Sequence, residues 1–416
     1  MISRRIFTTT ALVALGGAIA SACVPSGGGG RVLGPSGEAP PPRPVPDAGW
    51  DAWVAAYKDR AAGRGVSRAT IDAAFRGAGF LPEVIDKDRN QTEFKRTTED
   101  YLNIAASDER ISMGRSKYAA HAGVLNALQS RYGVDAQVIA AVWGLESFFG
   151  TRRGNVPVIS ALSTLAYEGR RGEFFEGQLT AALRILQRGD TTADRMTGSW
   201  AGAMGHTQFI PTSYLEFAVD YTGDGRRDIW GEDPSDALAS TAAYLSRSGW
   251  QAGVPWGMEV MLPAGFSGGL VGRGKGKSAA EWSGLGVRSA TGQALAAGSI
   301  LTPAGLGGPA FLVTRNFAAI LRYNNAENYA LGVGHLSDRL AGRGPLKAAF
   351  GPDKAGMTKA DRQEMQRLLT ANGFDTGGSD GVIGAKTKAA IGAFQASRGL
   401  AATGEPSLDL LVLLRR

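Results

Sequence analysis

The sequence VIAAVWGLESFFG occupies residues 138–150 and predicts the helix around which the fold is built. Apolar residues recur there at steps of three and four, which is typical of a core-facing helix; they are Val138, Val142, Leu145 and Phe149. Glu146 lies beside this stripe. A carboxylate in apolar surroundings loses hydration, so we expect a raised pKa, as a general acid near neutral pH requires. The alternative is an ordinary glutamate at the exposed edge of a helix.

The first 23 residues have the pattern of an export signal. Arg4 and Arg5 precede an apolar run over residues 11–20, which is similar to a twin-arginine signal and too short for a permanent membrane span. Small residues before Cys23, the single cysteine, are similar to a lipobox, in which the cysteine is lipidated; the alternative is plain cleavage near Ala22. Residues 24–46, rich in Pro and Gly, predict a tether. We therefore expect a periplasmic protein. Its attachment to the outer membrane would depend on a lipid on Cys23.

Composition narrows the classes of partner. The 416 residues carry a net charge of +7, but the basic residues are scattered, which argues against nucleic acid. A mildly basic chain suits an anionic polymer such as a cell wall. Three histidines and one cysteine make a zinc site improbable on composition alone.

The remaining chain divides into two predicted domains. Residues 47–345 are mainly helical, apart from residues 254–314, where many glycines and short apolar runs indicate short strands. Residues 342–356 predict a boundary, and residues 357–416 predict three short helices. The fold class is therefore mainly α (α+β), with a small β lobe and a small three-helix C-terminal domain.

Four motifs occur in order between residues 50 and 340: WGLES around Glu146, SWAGAMGHTQF from Ser199, DYTGDG from Asp220, and RYN ending at Asn324. They resemble the membrane-bound lytic murein transglycosylase B family. The motifs QRLL, DGVIG and FQ of residues 366–395 are similar to the type-one peptidoglycan-binding domain. The resemblance implies a lysozyme-like catalytic domain that needs no cofactor. It also implies cleavage of peptidoglycan glycan strands between N-acetylmuramic acid and N-acetylglucosamine, leaving a 1,6-anhydro end.

The same resemblance assigns roles to individual residues. It makes Glu146 the single catalytic acid, which first protonates the glycosidic oxygen and then accepts the proton of the attacking C6 hydroxyl. The residues that it assigns to substrate binding are Ser199, Gln208, Tyr101, Tyr244, Tyr323, Asn324 and Tyr329. Alternatives remain open: Tyr101 and Tyr244 as core residues with satisfied hydroxyls, Ser199 as a helix cap, and Gln208 as a structural residue.

A weak calcium motif lies within the same domain. Residues that match the first half of an EF-hand loop are Asp220, Thr222 and Asp224. The twelfth position is Gly231 instead of a bidentate glutamate, although Glu232 or Asp236 is placed to substitute in a longer loop. A structural calcium ion and an Asp-Gly turn without an ion are therefore both open.

Two other functions remain in competition with the transglycosylase. A hydrolytic muramidase needs a carboxylate that activates water, for which Glu216 and Asp220 are candidates. A non-catalytic wall-binding protein would retain Glu146 without using it.

Overall fold

The computed structural model describes residues 40–90 and 97–416. The predicted export signal, its Cys23 and most of the predicted tether lie outside the described residues. Within the described ranges, none of the helices combines the length and the apolar character that crossing a bilayer requires.

The first hundred or so described residues form a succession of helices, several of which begin at a side-chain cap. Asp47 and Thr97 accept backbone N–H groups three residues later, at 2.7 and 3.1 Å, and so begin α1 and α4. The bounds are α1 Ala48–Gly63, α2 Arg68–Phe75, α3 Pro82–Arg89, α4 Thr98–Ala105, α5 Asp108–Ala120, α6 Ala122–Tyr132 and α7 Ala136–Ser147. A glycine in the left-handed region, Gly133, ends α6.

Helix α7 lies at the centre of the larger core and differs from its prediction in its burial and in its end. It is buried nearly all round, because α5, α6, α11 and α14 surround it. It ends at Ser147, so Phe149 packs on the core from beyond the helix. Asp135 occupies the N-cap position, but its side chain makes no capping bond.

Within the described part of the chain, seven further helices complete the larger domain. They are α8 Val158–Glu168, α9 Gly172–Arg188, α10 Pro211–Phe217, α11 Ser235–Arg247, α12 Ala279–Gly284, α13 Arg315–Tyr323 and α14 Glu327–Leu340. The short strands β1 Val156–Pro157 and β2 Thr197–Gly198 pair antiparallel between them. The close packing of α8 on α9 and of α14 on α7 brings distant parts of the chain to the C-terminal end of α7.

The predicted β lobe is a four-stranded antiparallel sheet in the order β4-β3-β6-β5. Its strands are β3 Gly257–Met261, β4 Arg288–Ser289, β5 Ser299–Leu301 and β6 Ala310–Val313. In the register of the central pair, Met258 lies opposite Leu312. Both side chains pack with the fully buried Trp282 of α12 in a small core of their own.

The C-terminal residues form three helices, as predicted: α15 Lys359–Ala371, α16 Ala385–Ser397 and α17 Leu408–Leu414. Met365, Ile391 and Leu411 are among the residues of a separate core. The mainly α (α+β) class, the small β lobe and the three-helix C-terminal unit are confirmed. The exact domain boundaries at 47, 345 and 357 remain predictions.

The C-terminal unit contacts the larger domain through charged groups. Both carboxylate oxygens of Glu259 in β3 accept backbone N–H groups of Lys347 and Ala348, at 2.7–3.0 Å, which ties down the connecting segment. The guanidinium of Arg362 in α15 is 4% exposed and pairs with Glu99 of α4 and with Asp353. These contacts fix the unit against the helix that carries Tyr101.

Candidate active site

Glu146 is buried in the last turn of α7, with 5% of its surface exposed. Burial raises the pKa of its carboxyl from 4.5 to about 8, whereas a hydrogen bond from Tyr329 acts in the opposite direction. That bond runs from the Tyr329 hydroxyl to Oε1 of Glu146 at 2.6 Å. The direction of the pKa shift agrees with the sequence-based expectation, and the neutral acid is the dominant form at pH 7.

Aromatic rings from three helices form one wall beside Glu146. The rings of Tyr323 and Tyr329 are stacked at 6.5 Å between centroids, and Tyr244 meets Tyr323 at 4.8 Å. The hydroxyl of Tyr323 donates to the carbonyl of Thr207 at 2.6 Å, and that of Tyr244 donates to the carbonyl of Arg322 at 2.5 Å. The structure therefore brings the three predicted tyrosines together. The hydroxyl of Tyr244 is satisfied by the protein, as its alternative interpretation expects.

Tyr101 approaches the same wall from α4. A Cβ atom added to Gly332 of α14 would lie 2.8 Å from Cε1 of Tyr101, so the ring occupies the space that only a glycine leaves. Gly332 is three residues after Tyr329, hence nearly one helical turn along α14. Tyr101 is thus packed close to the hydrogen-bond partner of Glu146.

The chain after Glu146 makes a strained turn. Phe148 and Phe149 have φ values of 51° and 57°, in the left-handed region that bulky residues rarely adopt. Each such residue costs about 1–3 kcal/mol, and such outliers cluster at functional sites. The Phe149 ring is held against α7, where a Cβ atom on Gly144 would come within 2.5 Å of it.

The motif that begins at Ser199 forms a loop, and its polar side chains hold that loop. The hydroxyl of Ser199 accepts the N–H of Ala203 at 3.1 Å. Nε2 of Gln208 donates to the carbonyls of Arg153 and Gly205, at 2.8 and 2.9 Å, although its backbone is strained at φ 53°. Both residues are therefore structural at least in part.

Asn324 is the C-cap of α13 and is 6% exposed. Its side-chain amide makes no hydrogen bond within residues 40–90 and 97–416. Its amide is therefore free to form hydrogen bonds with a ligand.

His206, within the motif that begins at Ser199, is a structural residue whose partners sequence reasoning did not find. Nε1 of Trp143 donates to its Nδ1 at 3.1 Å, and its carbonyl accepts the Ser147 hydroxyl at 2.5 Å. Burial lowers the pKa of His206 to about 4, so the ring is neutral at pH 7. Its place in the motif beside Gln208 was the available signal, but its partners lie 63 and 59 residues away.

No second carboxylate accompanies Glu146 within the described ranges. Burial and Tyr329 are the two causes of its pKa shift, and neither is an acid. Glu327, in the same segment as Tyr329, is ion-paired with Arg273 at 2.8 Å. Glu216, one candidate of the muramidase hypothesis, is exposed. The described site therefore contains one acid.

The acidic loop after α10 gathers three carboxylates. Oxygen atoms of Asp220, Asp224 and Asp236 lie within 4.8 Å of one another. Asp236 also accepts backbone N–H groups of the loop, among them that of Thr222 at 3.0 Å. Of the two substitutes for the missing twelfth ligand, Glu232 instead pairs with Arg153 at 2.5 Å. Carboxylate oxygens in such a set fit the ligand preference of calcium.

Comparison with known proteins agrees with this geometry. The model of the family described as "Transglycosylase SLT domain" matches residues 49–338, and that of "Putative peptidoglycan binding domain" matches residues 358–414. A curated relative, membrane-bound lytic murein transglycosylase B of Escherichia coli (strain K12), is 33% identical over 226 residues. That match covers 52% of this chain and 60% of the relative, so the chain spans less than two thirds of the relative's length.

Solved structures show the same lysozyme-like arrangement. SltB3 from Pseudomonas aeruginosa, in complex with NAG-anhNAM-pentapeptide, is 47% identical with a TM-score of 0.70; the match covers 89% of this chain and 100% of that one. Escherichia coli lytic transglycosylase Slt35, in complex with calcium, is 27% identical with a TM-score of 0.60. That match covers 69% of this chain and 92% of Slt35.

Proposed function

The chain belongs to the transglycosylase SLT domain family, and we propose that it is a lytic transglycosylase acting on peptidoglycan. It cleaves the β-1,4 bond between N-acetylmuramic acid and N-acetylglucosamine and leaves a 1,6-anhydromuramic acid end. The observation that carries this proposal is the buried carboxyl of Glu146, which has a pKa of about 8 and accepts a hydrogen bond from the hydroxyl of Tyr329.

In the first step, neutral Glu146 donates its proton to the glycosidic oxygen as the bond to C1 of the muramoyl sugar breaks. Oε1 accepts the Tyr329 hydroxyl, so the acidic proton resides on Oε2. A pKa near the working pH keeps this proton available without holding it too tightly. The N-acetylglucosamine portion leaves as the alcohol.

In the second step, the carboxylate of Glu146 takes the proton of the C6 hydroxyl of the same muramoyl sugar. The C6 oxygen then bonds to C1, which closes the anhydro ring and restores neutral Glu146. The hydrogen bond from Tyr329 stabilises the carboxylate between the two steps. One residue serves as acid and then base, so the site needs no second carboxylate, unlike a glycosidase that uses two.

The surrounding residues would bind the glycan strand. Tyrosine rings give sugar rings a flat apolar face, and the wall formed by Tyr244, Tyr323 and Tyr329 suits this purpose. The amide of Asn324 is available for a sugar or N-acetyl group. Ser199 and Gln208 would place the loop beside the cleaved bond and the muramoyl N-acetyl group, which assists at C1 in the absence of an enzyme nucleophile.

The product end tests the reaction. Purified peptidoglycan digested in ¹⁸O-labelled water and analysed by mass spectrometry should yield anhydromuramoyl ends without the label. Label at the new muramoyl end would mean hydrolysis, hence a muramidase. An absence of new ends, with wall binding intact, would leave the non-catalytic alternative. The matched control is Glu327→Gln, which removes an exposed, ion-paired acid and should leave the products unchanged.

We propose that the C-terminal helices bind peptidoglycan as a second contact, because residues 358–414 match the peptidoglycan-binding family. A second contact raises the avidity of the enzyme for insoluble wall without changing its chemistry.

We also propose that Asp220, Asp224 and Asp236 hold a structural calcium ion, with Thr222 in the same loop. The three clustered carboxylates support this assignment. Calcium added to metal-free protein should raise Tm, because a ligand that binds the folded state stabilises it. Asp236→Asn should remove this response and Glu232→Gln should retain it; an equal response in both variants would refute the assignment.

The location of the protein is proposed from the sequence of residues 1–46. A twin-arginine-like signal would export the chain to the periplasm, and a lipid on Cys23 would hold it to the outer membrane. Metabolic labelling with a fatty acid tests this: a Cys23→Ser variant should lose the label and become soluble in the periplasm.

A further inference from the structure

Two arginines contact the same aromatic ring next to the catalytic acid. The guanidinium carbons of Arg110 and Arg152 lie 5.1 and 4.6 Å from the centroid of the Phe148 ring. A ring face attracts one cation, but the second guanidinium adds repulsion between two like charges. Arg152 is accordingly one of the causes that lower the pKa of Arg110 to about 10, after burial itself.

Neither arginine forms an ion pair with a carboxylate within residues 40–90 and 97–416. This is unusual for Arg110, which is 4% exposed. The other buried arginines of the described residues are neutralised: Arg227 pairs with Asp190 at 2.6 Å, and Arg362 pairs with Glu99 and Asp353. An unpaired buried charge is costly, so its presence calls for a reason.

The hydrogen bonds of Arg110 do not supply that reason. Its Nη1 donates to the carbonyl of Ile104, whereas its Nε is buried without any hydrogen-bond partner. Glu109, the neighbouring acid, contributes to its pKa after burial, Arg152 and Tyr101. A positive site of this kind is complete only when an anion occupies it.

The position of the pair identifies the kind of anion. Phe148 is two residues after Glu146, and Arg110 interacts electrostatically with Tyr101, which is packed near Tyr329. The pair therefore lies beside the predicted cleft. The glycan backbone of peptidoglycan is uncharged, and its carboxylates belong to the peptide attached to the muramoyl sugar.

We propose that Arg110 and Arg152 form an anion site that takes a carboxylate of the peptide carried by the muramoyl sugar. This inference rests on the proposed function. Arg152, which is exposed, makes the direct contact, and buried Arg110 supplies positive charge behind it. The site gives the enzyme a preference for strands whose peptide carboxylates are free, and it anchors the substrate at Phe148, two residues after Glu146 in the chain.

The experiment compares two substrates, glycan strands that carry peptides and the same strands with their peptide carboxylates converted to neutral amides. For Arg152→Gln, the ratio of kcat/KM between strands with free and strands with amidated peptide carboxylates should fall about tenfold, mainly through KM, as for one lost charge-assisted hydrogen bond. Arg152→Lys should keep part of the preference. Arg131→Gln is the matched control, because Arg131 is also exposed and lies over a ring, Tyr132, at 5.4 Å; it should leave the ratio unchanged.

The possible results separate this inference from the proposed function. An equal loss of kcat/KM on both substrates in Arg152→Gln would mean that Arg152 supports the strained turn. That result would overturn the anion site. An unchanged ratio would overturn it as well. If the parent protein cleaves neither substrate, the proposed function fails. Binding of peptide-bearing fragments to the parent and to Arg152→Gln, measured by calorimetry at two salt concentrations, then decides the anion site by itself: equal affinity refutes it.

Discussion

Replacement of Glu146 by glutamine should abolish cleavage and, at the same time, stabilise the protein increasingly as the pH rises. The acid has a pKa of about 8 when folded against 4.5 ordinarily. Between these values the unfolded chain releases a proton that the folded protein keeps, so folding becomes less favourable as the pH increases. From these two values, the buried acid costs about 1 kcal/mol at pH 5 and about 3 kcal/mol at pH 7.

Glutamine has nearly the same shape and no such titration, so Glu146→Gln removes this pH-dependent cost. The difference in unfolding free energy between variant and parent should therefore grow by about 2 kcal/mol from pH 5 to pH 7. An amide cannot donate the required proton, and cleavage should fall by about 10²–10⁴-fold or more.

Urea unfolding followed by tryptophan fluorescence at both pH values, together with turnover on purified peptidoglycan, measures these effects. Glu327→Gln removes an exposed acid and should behave as the parent in both assays. A stability difference between Glu146→Gln and the parent that is constant with pH would refute the buried, raised-pKa acid. Activity within a few-fold of the parent would refute its catalytic role.

The same geometry leads to further expectations. Cleavage should decline above about pH 8, where Glu146 loses its proton, and a flat pH–rate profile to pH 10 would contradict this. Tyr329→Phe removes the hydrogen bond that lowers the pKa of Glu146, so the decline should move to higher pH and the rate should fall about tenfold; an unmoved profile would count against the contact. Gly332→Ala places a Cβ atom 2.8 Å from the Tyr101 ring and should lower the unfolding free energy by about 1–3 kcal/mol in urea melts, whereas an unchanged melt would mean that the ring moves freely. Deletion of residues 357–416 should weaken pull-down by wall sacculi and spare cleavage of soluble fragments; equal pull-down would refute the second contact.

Local pattern was enough to predict much of the architecture. Helical periodicity indicated α7, and glycine-rich short apolar runs indicated the β lobe. The resemblance to the lytic transglycosylase family is confirmed by the family models and the relatives. The roles of the individual site residues remain predictions, and so do the domain boundaries.

The sequence by itself placed Glu146 among apolar neighbours, because residues three and four apart share a face of a helix. Contacts between distant residues have no such rule, since they depend on how whole elements pack. The bond from Tyr329 to Glu146 joins residues 183 apart. The packing of α10 against α11 likewise brings Asp236, and not Glu232, to Asp220 and Asp224.

The arginines beside Phe148 show the same division. Arg110 and Arg152 are ordinary basic residues in the sequence, and nothing in their spacing predicts that they meet. They do so because the chain turns through two left-handed residues after α7 and because α5 packs against that helix. Sequence thus determined which side chains are present and which face of a helix each occupies. Tertiary packing decided their partners and their hydration, and hence the charge of each group, because burial removes water from a group only when distant segments close over it.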